Sequence, residues 1–492
     1  MEEQSAPSAA PSAPATKGKG MWIGIAVIVV VAIVLVAAVF LGVFNAPPTK
    51  VTVLKIGTVL SITGGLAAFG GDNQNGTDMA VAEINAAGGV LGNPIQIFHQ
   101  DDGTNPSQAA SAARTLISSN GIAAIVGATG SGQCSTIVPV AVNNSVVEIS
   151  ASCTSPRFSN QTLTSGWFAR TAPSDALQGV VAASYAHTNL SFARAAVLGI
   201  NNAYGTGLAT TFANAFTSLG GTITTNSPRI VPETTSTNLP DYTTDLQAVL
   251  NANPAPQVVY VVAYPPDGVQ MMKNFNAALG ANPSWASIRW LFSEGVYDSA
   301  FINPLVAASV DVSAFEGTAP SAYGGLNGPL YSSWRTNYTT RFGVAPTLFT
   351  ANAYDAVYML ALAAQKAGDA SGPSIKANLQ AVSNPAGTKV FPAGWAAART
   401  ALSAGQDVDY EGASGSVNID SKGDPFSGYI VWNVTSSNTL SIKEIFPESL
   451  VSSLVTQVGA ASVSLASQAT PIVRGSSAQE LLQAADIVVS RF

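Results

Sequence analysis

The chain has 492 residues, 47% of them hydrophobic and only 10% charged, with a formal net charge of -7. That length and apolar content allow more than one lobe around a large core. The acidic balance gives no basic field for a phosphate backbone, which excludes nucleic acid as an expected partner. Two cysteines, Cys134 and Cys153, and two histidines, His99 and His187, are too few and too scattered for a zinc site, so no metal or cofactor is expected.

Residues 1–20 are rich in Pro, Ala and Ser and carry Lys17 and Lys19, after which Met21 to Phe44 run almost wholly apolar. At 1.5 Å per residue this stretch makes a helix of about 36 Å, enough to cross a ~30 Å hydrocarbon core. A cleaved signal peptide would have a shorter apolar region, ~7–15 residues, and a small-x-small cleavage site, which Phe44-Asn45-Ala46 fits poorly. The expectation is an uncleaved single-pass anchor with 1–20 as a cytoplasmic tail and the mass after Pro48 extracytoplasmic. Sequons at Asn75, Asn143, Asn160, Asn189, Asn337 and Asn433 suit that side of the membrane, although such short patterns also arise by chance. There Cys134 and Cys153 could form a bridge or stay as two thiols.

Beyond the anchor, Val51–Leu60 reads as a strand, followed by a Gly-rich turn and a helix from about Asp72 to Ala87 closed by Gly88-Gly89. A strand over 95–99, a helix opened by Asn105-Pro106 and running to Ser119, and a strand over 123–126 follow. A helix from Ser135 to Asn143 and a strand over 146–150 complete a β-α-β-α-β-α-β series, which predicts a parallel sheet covered on both faces. The rhythm resumes with a strand over 195–200, a helix over 205–218, a strand over 257–264, a helix over 268–279 and a strand over 288–293. These form a second lobe. The fold class is therefore α/β, with two Rossmann-like lobes and a ligand cleft between them. In open parallel sheets ligands sit beyond the carboxyl ends of the strands, which selects loops 61–71, 127–134, 150–155, 201–205, 263–268 and 293–297.

Several motifs accumulate in order across Lys55 to Trp432: Lys55-Ile-Gly, Thr63-Gly, Phe69-Gly, Ala82-Glu-Ile-Asn-Ala-Ala-Gly-Gly-Val-Leu-Gly92 and Asp101-Asp102. They continue with Ser150 to Pro156, Arg170-Thr-Ala-Pro-Ser-Asp175 with Gln178-Gly, Ala203-Tyr-Gly205, Ser293-Glu-Gly295, Tyr354-Asp-Ala-Val357, and Gly415 to Asp424. In these the chain resembles the leucine/isoleucine/valine-binding protein family, the type I periplasmic binding proteins of branched-chain amino acid ABC transporters. The resemblance implies hinge crossings near Ser174, Tyr323 and Gly412. Lobe I would then comprise 53–173 and 324–412, lobe II 174–323 and 413–446, and 447–492 an extension without an assigned role.

Carried over residue by residue, the resemblance implies that Ser131, Ser152 and Thr154 take a ligand's α-carboxylate and amine, that Phe69, Tyr204 and Tyr264 wall the pocket, and that Glu294 pairs with the α-amine. It also puts Thr104 and Gly130 where some members carry a disulfide, so that bridge is absent here. If a small gap shifts its loop, Ser135 or Gln133 takes the place of Ser131. The physics of the set agrees: hydroxyls and loop amides donate to a carboxylate, and an ionised Glu accepts from an ammonium.

Other readings are weaker. Gly127-Ala-Thr-Gly-Ser-Gly132 lacks the Gly-Lys-Ser/Thr of a phosphate loop, and neither histidine has an acid and nucleophile spaced as a catalytic set, so both read as structural and no enzyme is expected. The expected function is capture of an amino acid, branched-chain or otherwise apolar, by clamshell closure and its delivery to an ABC permease and ATPase. A membrane-anchored sensor of the same fold, or a binding protein for an amide or urea-like solute, are the alternatives.

Overall fold

The computed structural model describes residues 50–234, 239–321 and 328–468. The expected tail 1–20, the span Met21–Phe44 and the crossing near Tyr323 lie outside the described residues. Among the described residues no helix is long and apolar enough to cross a membrane. Val51–Phe492 forms a unit of its own.

The first lobe begins with β1 (Lys55–Leu60), α1 (Ala67–Ala86), β2 (Gln96–Asp101), α2 (Pro106–Thr115) and β3 (Ala124–Gly127). It continues with α3 (Ser131–Asn144), β4 (Val147–Ser150) and β5 (Phe168–Arg170). The strands form one parallel sheet in the order β2-β1-β3-β4-β5. Near-continuous burial of β1, β3 and β4 marks strands covered on both faces, as parallel sheets require.

The chain then enters the second lobe through α4 (Asp175–Ser184), β6 (Arg194–Ile200), α5 (Ala203–Ser218), β7 (Thr222–Ile223), β8 (Arg229–Val231) and α6 (Thr243–Leu250). β9 (Val258–Val262), α7 (Pro265–Leu279), β10 (Arg289–Phe292), α8 (Ser299–Ala307) and β11 (Glu316–Pro320) follow. It returns to the first lobe through α9 (Gly328–Phe342), α10 (Thr350–Ala367), α11 (Gly372–Ser383), β12 (Thr388–Val390), α12 (Trp395–Ser403) and β13 (Val408–Tyr410). The second lobe is completed by β14 (Tyr429–Val434), β15 (Leu440–Phe446) and α13 (Glu448–Gln468). Its sheet runs β15-β14-β11-β10-β9-β6-β7 with β8 also on β6, parallel throughout except for β14 and β15.

Helices start earlier than the sequence reading expected: α1 at Ala67 rather than Asp72, α3 at Ser131 rather than Ser135, and α7 at Pro265 rather than Gly268. The first turn absorbs residues that read as loop. Pro265 suits that turn because its missing N–H costs nothing there, and at α5 the Asn202 side chain caps the Gly205 N–H at 2.9 Å. The histidines have structural partners: His99 lies 2.8 Å from Thr58 Oγ1 and 3.1 Å from Asp78, and His187 lies 2.9 Å from the Phe192 carbonyl.

α10 is buried along Thr350–Ala364, between α1 and α11, as expected of a helix apolar on every side. Its one carboxylate, Asp355, accepts from Tyr410 Oη (2.7 Å), the Ala413 and Ser414 N–H groups (2.8 Å each) and Ser414 Oγ (2.6 Å), and so pins the segment that leads back to the second lobe. The extension after residue 446 is helical as far as Gln468. Val451 and Val458, seven residues apart and thus on one face, sink into the second lobe's core as α13 packs on α4 and α5.

A buried cation ties three segments together. Arg170, wholly buried at the end of β5, donates to Asp424 Oδ1 (2.7 Å), to the carbonyls of Cys153 and Ser155 (3.0 Å each) and to Ser159 Oγ (2.9 Å). Breaking one partner of a buried pair leaves the other charge uncompensated. Arg170→Met should therefore lower the unfolding free energy by about 3–5 kcal/mol in urea denaturation, whereas a shift below about 1 kcal/mol would mean that the guanidinium is not holding these segments.

Candidate functional site

A small cavity of about 20 Å³ lies between the lobes. Leu66, Phe69, Thr129, Ser131, Ser152, Leu348 and Phe349 line it from the first lobe, and Tyr204, Tyr264, Glu294 and Gly295 from the second. Six of the seven residues singled out from sequence thus meet at one place. The seventh, Thr154, is buried but does not line the cavity; its carbonyl accepts the Asp175 N–H at 2.8 Å instead. Of the alternatives in the α3 loop, Ser131 faces the cavity, while Ser135 turns its hydroxyl back to the Ser131 carbonyl at 2.8 Å.

The first-lobe wall is built from strand-end loops held by short hydrogen bonds. Ser61 N–H donates to Thr129 Oγ1 (3.0 Å), Ser152 Oγ to the Thr129 carbonyl (2.8 Å), and Ser150 Oγ to the Ala128 carbonyl (2.8 Å). Ser131 opens α3, so its hydroxyl and the helix's first N–H groups share one end, the end that favours negative charge. Cys134 and Cys153 form a disulfide that joins the first turn of α3 to the loop after β4. The two loops that carry Ser131 and Ser152 are therefore covalently tied.

The second-lobe wall is aromatic and acidic. Tyr204, in the first turn of α5, and Tyr264, just before α7, stack with ring centroids 5.4 Å apart and planes 1° from parallel. Tyr204 Oη donates to Ser293 Oγ (2.7 Å) and accepts the Gly295 N–H (3.2 Å), which fixes the turn carrying Glu294. Glycine at 295 is required, because a Cβ there would lie 2.4 Å from the Ala263 carbonyl oxygen.

Glu294 is 2% exposed, and its Oε2 accepts from Gln178 Nε2 at 2.6 Å. Burial pushes its carboxyl up to about 7 against the hydrogen bonds that favour the anion. Asp175, at the start of α4, is pushed well above the carboxylate range by burial first and by the Glu294 charge second; Thr154 and Arg170 oppose this only in part. Across the lobes, Ser155 Oγ donates to the Ala203 carbonyl at 2.7 Å, so the cleft is closed around the cavity.

Sequence reasoning missed Leu66, Thr129, Gly295, Leu348 and Phe349. The first three lie inside loops it had selected. Leu348 and Phe349 precede α10 in a stretch without periodicity, and Phe349 adopts the left-handed φ of 68°, a conformation that costs a bulky residue about 1–3 kcal/mol and tends to persist at functional sites.

A family model described as periplasmic binding protein matches residues 53–405. The chain belongs to that family. Among curated proteins it is 26% identical over 405 residues to a chemotactic signal transduction system substrate-binding protein, BasB, of Halobacterium salinarum, covering 78% of this chain and 87% of that one. It is 35% identical over 159 residues to the Leu/Ile/Val-binding protein BraC3 of Rhizobium johnstonii, covering 32% of this chain and 42% of that one. Among solved structures, the leucine binding protein LivK of Thermotoga maritima superposes with a TM-score of 0.65 at 24% identity, covering 80% of this chain and 99% of that one. The fold is thus the type I periplasmic-binding-protein fold, and membership makes the chain a binding protein rather than an enzyme.

The raised carboxyl of Glu294 has a measurable consequence for the empty protein. A group whose pKa is raised on folding stabilises the fold below its ordinary pKa, and that contribution is lost as the pH rises through the folded value. Between pH 5 and 8 the empty wild-type chain should therefore lose stability relative to Glu294→Gln, by on the order of 2–3 kcal/mol. Urea denaturation of both across that range reads the difference, and parallel curves would mean that Glu294 titrates normally.

Proposed function

We propose that the chain is the extracytoplasmic solute-binding component of an ABC importer. In this reading it captures an α-amino acid with an apolar side chain by clamshell closure and hands it to a separate permease and ATPase. The observation that carries this is Glu294, a buried carboxylate on the cavity wall whose lining includes no cation. An ammonium group supplies the missing charge. Ser131, with the start of α3, suits the carboxylate of the same ligand, the Ser152 hydroxyl oxygen can accept from the ammonium, and Leu66, Phe69, Leu348 and Phe349 offer an apolar wall to its side chain. An acid without an amine would leave Glu294 and Asp175 uncompensated.

The position of the chain in the cell belongs to the same proposal: Met21–Phe44 anchors it, with the two lobes outside. The likeness to a chemotactic substrate-binding protein favours a second reading, in which the loaded clamshell reports to a membrane partner as a sensor. Reconstitution with a permease and ATPase separates the two, because only a transport component drives ATP-dependent uptake.

Binding to the folded state alone stabilises it by RT ln(1 + [L]/Kd), about 2.7 kcal/mol at a hundredfold excess over Kd. The unfolded and refolded chain should show a rise in melting temperature with apolar α-amino acids and none with plain carboxylates, and Glu294→Gln should weaken binding by about 1.5–3 kcal/mol. Because the ammonium must displace the proton held on Glu294, wild-type affinity should fall as the pH drops below about 7, by up to tenfold per unit. A response to amides or urea but to no amine-bearing solute would overturn the amino-acid reading.

A further inference from the structure

Outside the cavity, α5 of the second lobe meets the segment that follows β4 in the first lobe, and the contact centres on Gly207. Gly207 lies inside α5, a setting in which glycine destabilises a helix relative to alanine. Its own helix therefore gives no reason for the missing side chain. The opposite lobe does. A Cβ at Gly207 would lie 2.9 Å from Pro156 Cδ and 3.0 Å from Ser155 Oγ, both on the first lobe, and the proline atom belongs to a ring that cannot turn aside. By contrast, a Cβ at Gly65, another glycine facing the opposite lobe, would stand 3.9 Å from Pro266 Cγ, an ordinary contact. At Gly207 the bare backbone is what lets the lobes come this close.

Ser155, buried at the same contact, makes two hydrogen bonds of different reach. Its N–H donates to Ser131 Oγ at 3.2 Å within the first lobe, and its Oγ donates to the Ala203 carbonyl at 2.7 Å across the cleft. Because Ser131 Oγ accepts from Ser155, the O–H of Ser131 is left to donate into the cavity. Ala203 directly precedes Tyr204, which lines the cavity from the second lobe. Ser155 thus joins a lining residue of one wall to the helix that carries a lining residue of the other. Ser155, Pro156 and Gly207 are not themselves among the lining residues.

We propose that Ser155, Pro156 and Gly207 form a latch between the lobes that sets how strongly the shut cleft is favoured, and so scales the affinity for every ligand by one factor without choosing among ligands. This rests on the clamshell reading above and adds positioning residues to it. The apparent dissociation constant rises in inverse proportion to the fraction of protein in the binding-competent state, and that fraction is a property of the protein rather than of the ligand.

Gly207→Ala introduces the methyl that the closed contact excludes, and Ser155→Ala removes the hydroxyl while keeping the N–H that Ser131 accepts. Titration calorimetry on the full chain with alanine, valine, leucine and phenylalanine should show Gly207→Ala weakening each ligand that the wild type binds by one common factor, about tenfold. Ser155→Ala should weaken them together by about fivefold, the loss of one hydrogen bond. Unchanged affinity in Gly207→Ala, or a changed order of preference among the amino acids, would overturn the latch. Hydrogen exchange on the empty chains reads closure without a ligand. If the wild type binds no α-amino acid, the parent reading fails, and the latch then stands only if residues 150–156 exchange faster in Gly207→Ala while β9 and β10 do not. Faster exchange of β9 and β10 as well would mark that variant as misfolded, and Ser155→Ala then decides by the same measurements.

Discussion

Glu294 and Asp175 are buried close enough for the Glu294 charge to push the Asp175 carboxyl up, at the place where the second lobe meets the first, and the architecture of the cleft follows from what burial of two acids costs. Taking a carboxylate out of water is expensive unless a charge or donors replace its hydration. Glu294 receives a hydrogen bond from Gln178 on α4, while Asp175 is offset only in part by Thr154 and by Arg170, a guanidinium already committed to Asp424 and two carbonyls. In the proposed reading, an ammonium group in the closed cleft takes the place of the proton that burial otherwise keeps on this pair.

Comparison with the other buried acids shows that burial alone is not what sets this pair apart. Asp355 is as deeply buried as Asp175, but four donors from Tyr410, Ala413 and Ser414 surround it, and although burial lifts its carboxyl to about 6, it has no need of a ligand. It serves as a fixed pin for the segment leaving β13. Asp424 is likewise spent on Arg170. What makes Glu294 a site rather than a strut is the combination of burial, a place on the cavity wall and the absence of a cation among the residues that line that wall.

Much of this was legible in the sequence because it is carried by local signals. Strand and helix alternation located four of the five strands of the first sheet and three of the eight of the second, β6, β9 and β10, and the rule that ligands sit beyond strand ends selected loops containing nine of the eleven lining residues. The failures have physical reasons. Thr154 lies in a selected loop, but a loop's position does not say which way each side chain turns, and its backbone is taken up by Asp175. Leu348 and Phe349 reach the cavity from a segment remote in sequence, through a left-handed residue that is not a glycine, a conformation that no propensity rule expects at a phenylalanine. α13 was obscured because its serines break an apolar run, although Val451 and Val458 at heptad spacing were enough to bury one face.

The two walls of the cavity differ in kind, and under the proposed function the difference orders the events of capture. The first-lobe wall is fixed before any ligand arrives: Ser61, Ser150 and Ser152 hydrogen-bond within it, and the Cys134–Cys153 disulfide joins the loops that carry Ser131 and Ser152. A wall already ordered loses little conformational entropy when it engages a ligand, so more of its contact energy appears as affinity. The second-lobe wall carries the buried acid, Glu294, beside Tyr204. In the proposed reading, a zwitterion settles on the rigid first lobe through its carboxylate with the second lobe still swung away. In that reading closure becomes favourable because the ammonium already in place meets Glu294, so the group proposed to discriminate between ligands is also the one that drives closure.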